Sequence, residues 1–237
     1  MDEPFPDGLR PCIEKFLDGD SHRPVGEDLY PEVFESDLFF PLQRPRELEA
    51  VMRLVRPLKP KTYMEIGSDK GGSLWHWLKA QPTISRCLAC EVRGLPYAAL
   101  FERAFPEVRF LWLPWSSNDP GTIRAVREWL GGARIDCLFL DGDKGGMVAD
   151  FDAYRPVLSP RGLVLLHDIT DPGPGAAFQD LCDRGYRFQA VVDTTDAARA
   201  LARERAGAPP ANAHESWLRH WRGKSCGCGV IELGGVA

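Results

Sequence analysis

The chain has 237 residues, 44% of them hydrophobic and 27% charged, which suits one large globular domain and is too short for two ordinary ones. Its formal net charge of -5 gives no general attraction to phosphate backbones or anionic lipid, so nucleic acid and membranes are disfavoured as partners. No apolar run reaches membrane-spanning length and the acidic start does not resemble a secretory signal, so we expect a cytoplasmic protein.

The seven cysteines are odd in number and scattered, which disfavours a disulfide framework. Two pairs, Cys87 with Cys90 and Cys226 with Cys228, have spacings that could bind zinc. Both pairs lie in strand-like runs that leave little room for a zinc knuckle, so the sequence disfavours such a site.

Residues 1–45 are rich in Pro, Asp and aromatic residues and show no sustained period. We predict an N-terminal arm or cap here and a main domain over 46–237. Apolar residues recur at helical spacing from Arg44 to Leu58, and Pro60 stops this first helix.

After this helix, short strand-like runs alternate with helical patterns. The runs are 62–66, 87–92, 108–113, 135–140 and 163–166, and the helices are expected near 72–80, 95–105, 120–131 and 147–156. This alternation predicts an α/β fold, with right-handed βαβ units and a mostly parallel sheet covered on both faces. Two late runs, 186–192 and 229–233, predict a terminal antiparallel pair with an insertion between them, in which 206–213 is a candidate mobile loop.

The strongest motif follows the first strand, where MEIGSDKGGS (64–73) leads from an apolar run through a glycine-rich turn into a helix. Ligands of open α/β sheets bind beyond the carboxyl ends of the strands, so a nucleotide-type ligand is expected here. Asp69 replaces the second glycine of a dinucleotide fingerprint and would repel a pyrophosphate. A cationic sulfonium with an amino-acid tail suits Glu65 and Asp69 better; a tight turn without a ligand is the alternative.

Acids also end later strands. Glu91 ends the second run, where a carboxylate can accept hydrogen bonds from both hydroxyls of a ribose. Asp141 and Asp168 end two runs that would be adjacent, and two close carboxylates favour a hard cation such as Mg²⁺ between them. The alternative is that one aspartate caps a helix and the other meets solvent.

Two further side chains could carry chemistry. Lys144 lies three residues beyond Asp141, where a metal and a cationic cofactor would disfavour its protonated form and allow it to act as a general base. It could equally be a surface lysine at a helix start. His167 could be a metal ligand, a base, or a histidine that is satisfied at a strand end.

These residues carry a resemblance to a known family. From about Gln43 to Leu233 the chain resembles the class I S-adenosylmethionine-dependent methyltransferases, which implies a Rossmann-like seven-stranded sheet. The segments LQRPREL, MEIGSDKGGSL, FLDGDKGG and LLHDI resemble the branch that contains cephalosporin hydroxylase-like proteins and macrolide-sugar O-methyltransferases.

The resemblance implies S-adenosyl-L-methionine as the cofactor. The residues that it places around this cofactor are Glu65, Gly67, Ser68 and Ser73 at the methionine part, Glu91 at the ribose, Ser116 at the adenine edge, and Asp141. The ligands of a divalent metal, expected to be Mg²⁺, fall on Asp141, His167 and Asp168. The base of catechol and sugar O-methyltransferases falls on Lys144. The chain departs from the pattern in having His167 where an acid is usual, and Lys144 where this branch often has histidine.

We therefore expect a metal-assisted O-methyltransferase of a small-molecule acceptor, with Lys144 or His167 as the base. The alternatives are a hydroxylase-like reaction on the same fold and a non-catalytic partner that keeps the fold; a dehydrogenase is opposed by Asp69. Candidates for the wall of the acceptor pocket are Phe34, Phe39, Phe40, Trp217 and Trp221. A homo-oligomeric state is left open.

Overall fold

The computed structural model describes Gln43 and residues 45–192, 202–210 and 226–236. The predicted arm with its phenylalanines lies outside the described residues except for its last positions, and so do Trp217 and Trp221. Within the described ranges, no helix is both long enough and apolar enough to cross a membrane.

The described residues form an alternating series of helices and strands. In chain order these elements are α1 (Pro45–Val55), β1 (Thr62–Ile66), α2 (Gly72–Ala80), β2 (Arg86–Cys90), α3 (Ala98–Ala104), β3 (Arg109–Leu113), α4 (Pro120–Leu130), β4 (Ile135–Leu140), α5 (Met147–Tyr154), β5 (Leu158–His167), α6 (Pro172–Asp183), β6 (Tyr186–Val191) and β7 (Cys228–Val236). Short 3-10 turns follow α1 and α5.

The strands form one seven-stranded sheet in the order β3-β2-β1-β4-β5-β7-β6. The first five strands pair in parallel, whereas β7 pairs antiparallel with both β5 and β6. The predicted α/β class and the terminal antiparallel pair are confirmed. Ile66 lies level with Cys90 of β2 and with Leu140 of β4, so the carboxyl ends of these three strands meet at one edge.

Apolar side chains from alternate strand positions form one core on each face of the sheet. Trp75, Trp77 and Phe101 belong to the core on one face, and Met64 and Leu138 to the core on the other. Strands that are buried on both faces read as continuous apolar runs, which is why the sequence showed them clearly.

The two cysteines of β2 belong to these two different cores. Cys87 packs in the first and Cys90 in the second, so their thiols face opposite sides of the sheet. The zinc pair that the sequence disfavoured at this place cannot form.

Two elements differ from the sequence-based expectation. The helix α6 was not predicted, because its first turn reads PGPG; Pro172 occupies the start of the helix, where a missing N–H costs nothing. The strand β5 begins at Leu158 rather than at Leu163. The sequence did not show its first residues as part of the strand, because Pro160 and Arg161 are exposed and interrupt the apolar run.

The turn after β1 packs directly on the turn after β4. Gly67 has a φ of +85°, and a Cβ placed there would lie 2.5 Å from the backbone nitrogen of Gly142. The amide of Asp141 also donates to the carbonyl of Ile66 at 2.9 Å. A side chain at position 67 would therefore push apart the two turns that bear the predicted site.

We expect Gly67→Ala to destabilise the fold more than Gly131→Ala, which serves as the matched control. Gly131 also has a positive φ, of +56°, but a Cβ there meets no described atom within 4 Å. The control should lower the free energy of unfolding by about 1–2 kcal/mol through backbone strain alone, and Gly67→Ala by roughly 1–3 kcal/mol more through overpacking. Urea unfolding measures both; equal losses would show that the close approach does not matter.

Candidate active site

A cavity of about 830 Å³ opens at the carboxyl ends of the parallel strands. The predicted site residues that line it are Gly67, Ser68, Ser73, Glu91, Ser116, Asp141, Lys144, His167 and Asp168. Five turns from separate parts of the chain thus contribute to one wall, as expected where parallel strands end at one edge.

Glu65 is the predicted site residue that lies behind this wall rather than on it. Its carboxyl group is fully buried and accepts hydrogen bonds from the hydroxyls of Ser73 and Tyr63, the latter at 2.6 Å. Burial raises its pKa to about 8, so the group is mostly protonated at neutral pH. The structure therefore places Glu65 behind Ser73, whose hydroxyl it accepts, and does not bring its carboxyl group to the cavity wall.

Glu91 follows β2 and is held in place from two sides. One carboxylate oxygen accepts the backbone N–H of Asp69 at 2.9 Å, and the other accepts that of Arg93 at 3.1 Å. A carboxylate offers about four acceptor positions, so positions remain for the hydroxyls of a ribose. Asp69 itself pairs with the Arg93 guanidinium at 2.7 Å, so the open acidic edge that the sequence suggested at Asp69 is already neutralised.

The turn after β3 contains a buried network that the sequence did not reveal. The Ser117 hydroxyl donates to Asp150 at 2.6 Å, and Tyr154 donates to the Ser117 carbonyl at 2.8 Å. Burial raises the pKa of Asp150 to about 6. Ser117 lines the cavity next to the predicted Ser116, and its partners come from α5, 33 or more residues away, a separation at which sequence periodicity carries no signal.

The acids after β4 and β5 converge as predicted. An oxygen of Asp141 lies 3.0 Å from His167 Nδ1, and an oxygen of Asp168 lies 3.3 Å from the same nitrogen. These two carboxylate oxygens are therefore no farther apart than the sum of the two distances. The Lys144 ammonium contacts Asp141 and lies 2.7 Å from Asp168 Oδ2. The Gln43 amide donates to the other oxygen of Asp141.

Charge pairing dominates the titration of this cluster. Burial lowers the pKa of Lys144, but Asp141 and Asp168 more than offset this and hold it above its ordinary value. His167 behaves alike: burial lowers its pKa, and the two carboxylates raise it well above the usual range. Burial raises the pKa of Asp168, but His167 and Lys144 bring it below its ordinary value. The protonated form of Lys144 is therefore favoured while these two carboxylates face it; the expectation from the sequence concerned Lys144 beside a metal and a cationic cofactor, and it stays a prediction.

Cys226 also lines the cavity, although the sequence did not place it there. It lies two residues before β7, and the pairing of Cys228 with His167 carries it past the end of β5. Its thiol lies within 4.8 Å of donor atoms of His167 and Asp168. Only the register between two distant strands brings this residue to the site.

A family model described as a methyltransferase domain matches residues 64–169. This span contains every predicted site residue, from Glu65 to Asp168. This segment of the chain is therefore similar to methyltransferase domains. A search of curated protein sequences finds no match.

Solved structures of methyltransferases are similar over most of the chain. An O-methyltransferase from Bacillus cereus in complex with S-adenosylhomocysteine is 12% identical, covers 97% of this chain and 91% of its own, and has a TM-score of 0.51. TomG from Streptomyces achromogenes in complex with S-adenosylmethionine is 14% identical, with coverages of 91% and 94% and a TM-score of 0.57. PaMTH1 from Podospora anserina, bound to S-adenosylhomocysteine, is 12% identical, with coverages of 98% and 97% and a TM-score of 0.50. At these identities the likeness establishes the fold.

We expect Glu91→Ala to weaken the binding of S-adenosylhomocysteine to this protein by roughly 1–3 kcal/mol, because ribose hydroxyls would lose a charged acceptor. Calorimetry measures the affinity, and the melting temperature checks that the turn around Asp69 stays folded. Glu102→Ala is the control, since Glu102 lies on α3 and pairs with Trp112 outside the cavity. Unchanged affinity in Glu91→Ala would remove Glu91 from the ribose site.

Proposed function

We propose that the chain transfers the methyl group of S-adenosylmethionine to a hydroxyl oxygen of a small-molecule acceptor, with help from a divalent cation. The observation that carries this proposal is that one cavity holds both a nucleoside-type wall, at Glu91, and a cluster of proton- and cation-binding groups, at Asp141, Lys144, His167 and Asp168. The solved structures from Bacillus cereus and Streptomyces achromogenes are named as O-methyltransferases, which supports oxygen as the methyl acceptor.

The cavity wall offers a complementary group for each part of the cofactor. The turn at Gly67 and Ser68, with the Ser73 hydroxyl, suits the amino-acid end. Glu91 suits the ribose, and the turn with Ser116 suits the adenine, because it follows the next strand outward in the sheet. The sulfonium would then lie toward Asp141, beside the acid cluster.

Methyl transfer to a hydroxyl needs an in-line approach and a place for the proton. The acceptor oxygen bonds to the methyl carbon as the carbon–sulfur bond breaks, and the hydroxyl proton passes to a base. Lys144 is better placed for this role than His167, since both line the cavity but 38% of the Lys144 side chain is exposed against 4% for His167. The neighbouring carboxylates favour its protonated form, so Lys144 acts as a base only when their charge is engaged elsewhere.

The residues present fit a divalent cation. Two carboxylates and an imidazole converge, and the Lys144 ammonium already stands between the carboxylates as a positive charge. A cation held by Asp141, His167 and Asp168 would supply Lewis-acid activation of the acceptor hydroxyl. We take Mg²⁺ as the first ion to test, since oxygen donors form the larger part of this set.

We expect chelation with EDTA to abolish methyl transfer and added divalent cation to restore it. Asp141→Asn should reduce the rate at least about 100-fold while the affinity for S-adenosylhomocysteine stays nearly unchanged, because Glu91 and the β1 turn are untouched. The assay follows labelled methyl groups from S-adenosylmethionine into a panel of phenolic and glycosidic hydroxyl compounds, with product structures determined by NMR.

Asp152→Asn is the matched control, because Asp152 is exposed and pairs with Arg184 away from the cavity. Full activity in EDTA would contradict the role of the cation and leave Lys144 as the positive charge of the site. Methylation of nitrogen or carbon, or S-adenosylhomocysteine that fails to bind, would contradict the proposed reaction itself.

A further inference from the structure

The cation cluster includes a sulfur donor that comes from outside the matched domain segment. A ring nitrogen of His167, a carboxylate oxygen of Asp168 and the thiol of Cys226 all lie within 4.8 Å of one another. Nitrogen, oxygen and sulfur donors grouped this closely need only small side-chain rotations to reach one ion at ordinary bond lengths of roughly 2.0–2.3 Å.

The backbone holds Cys226 in this place. Its carbonyl accepts hydrogen bonds from the amide of Thr170 at 3.2 Å and from the Thr170 hydroxyl at 3.1 Å. The amide of Ile169 donates to the Gly227 carbonyl at 3.3 Å, and the Gly227 amide donates to Glu47 at 3.1 Å. Cys226 thus belongs to an ordered crossing of two chain segments rather than to a free surface.

His167 gives an independent sign of an absent partner. The side chain is 4% exposed, and its Nε2 atom is buried without a hydrogen-bond partner among the described residues. A buried polar nitrogen without a partner is costly, and an ion or a bound molecule is a common reason for one.

Lys144 does not occupy the same donors. It pairs with Oδ2 of Asp168, whereas Oδ1 of the same carboxylate faces the imidazole of His167. The two sides of this carboxylate can therefore serve an ammonium group and a metal ion at once.

We propose that Cys226 is a metal ligand beside His167 and Asp168, and that the site takes a thiophilic divalent cation such as Zn²⁺ or Co²⁺ in preference to Mg²⁺. Thiolate and imidazole donors favour these borderline ions, whereas Mg²⁺ prefers oxygen donors alone. This inference refines the cation of the proposed function and rests on it for the catalytic meaning of the site, but not for metal binding itself.

Titration of the metal-stripped protein with Co²⁺ tests the assignment without any measurement of activity. A thiolate ligand gives Co²⁺ a sulfur-to-metal charge-transfer band in the near ultraviolet. We expect this band in the wild type and in Cys182→Ser, the matched control, whose cysteine lies on α6 outside the cavity. Cys226→Ser should lose the band and bind Co²⁺ at least about tenfold more weakly. Zn²⁺ should displace Co²⁺, and millimolar Mg²⁺ should not.

A second measurement uses the unmutated protein, in case Cys226→Ser fails to fold. Zn²⁺ should protect Cys226 from alkylation by iodoacetamide, as mapped by mass spectrometry, while Cys182 reacts at an unchanged rate. The assignment would be overturned if the wild type shows no such band with Co²⁺, or if the band persists in Cys226→Ser. It would also be overturned if Mg²⁺ displaces Co²⁺, or if Zn²⁺ does not change the rate at which Cys226 is alkylated. Methyl transfer supported by Mg²⁺ together with any of these results would reject the thiolate site and keep the proposed function. A charge-transfer band in a protein that shows no methyl transfer would keep the thiolate site and reject the proposed function.

Discussion

The parallel pairing of β1 with β4, closed by the approach of Gly67 to the backbone of Gly142, is the constraint on which the rest of the site depends. Parallel strands in register end at one edge, and the β1 and β4 turns can meet there only because position 67 has no Cβ. The amide of Gly67 also donates to the carbonyl of Cys90 at 2.9 Å. The turn after β1 is therefore tied to both neighbouring strands, and the acids that follow those strands lie on one wall.

Several carboxyl groups lie on or behind this wall, and the charge of each is balanced by different neighbours. Glu65 is kept mostly neutral by burial behind Ser73. Glu91 is held by two backbone amides, and Asp69 is paired with Arg93. The carboxylates after β4 and β5 also line the cavity, where they pair with the Lys144 ammonium and contact the His167 imidazole. A site with this distribution suits a positively charged methyl donor on one side and a cation-dependent acceptor on the other.

The same arrangement explains a departure that the sequence could show but not interpret. His167 stands where the family that the sequence resembles usually has an acid, and the sequence alone does not show what this change means for a metal. In the structure the imidazole lies among Asp141, Asp168 and Cys226. If the proposed cation binds here, the nitrogen and sulfur donors would change which ions the cluster prefers rather than prevent binding.

Much of the fold could be predicted because its signals are local. The bounds of β1, α2 and β4 agree with the predicted runs, since buried parallel strands are continuous apolar stretches and the helix is framed by glycines and Pro82. The helix α6 could not be predicted from the sequence, because its proline and glycine residues are typical of a loop. The acids at strand ends were identified for a similar reason: a strand end is a local feature, and parallel order makes neighbouring ends converge.

Contacts between distant segments had no such signal. Cys226 reaches the site through the antiparallel register of β7 on β5, and Ser117 meets Asp150 through the packing of α5. The titration of Lys144 was also beyond the sequence, because it depends on which oxygens lie within a few ångströms of its nitrogen. Periodicity predicts the elements, but side-chain pairs across elements follow from three-dimensional register.

We propose that the methyl donor lies along this edge of the sheet with its sulfur toward the acid cluster. A crystal structure of the protein with S-adenosylhomocysteine would test this placement directly. We expect ribose hydroxyls within hydrogen-bond distance of Glu91, the amino-acid end over the turn at Gly67, and the thioether sulfur facing Asp141 and Lys144. A ligand bound elsewhere, or one whose ribose lies away from Glu91, would contradict it.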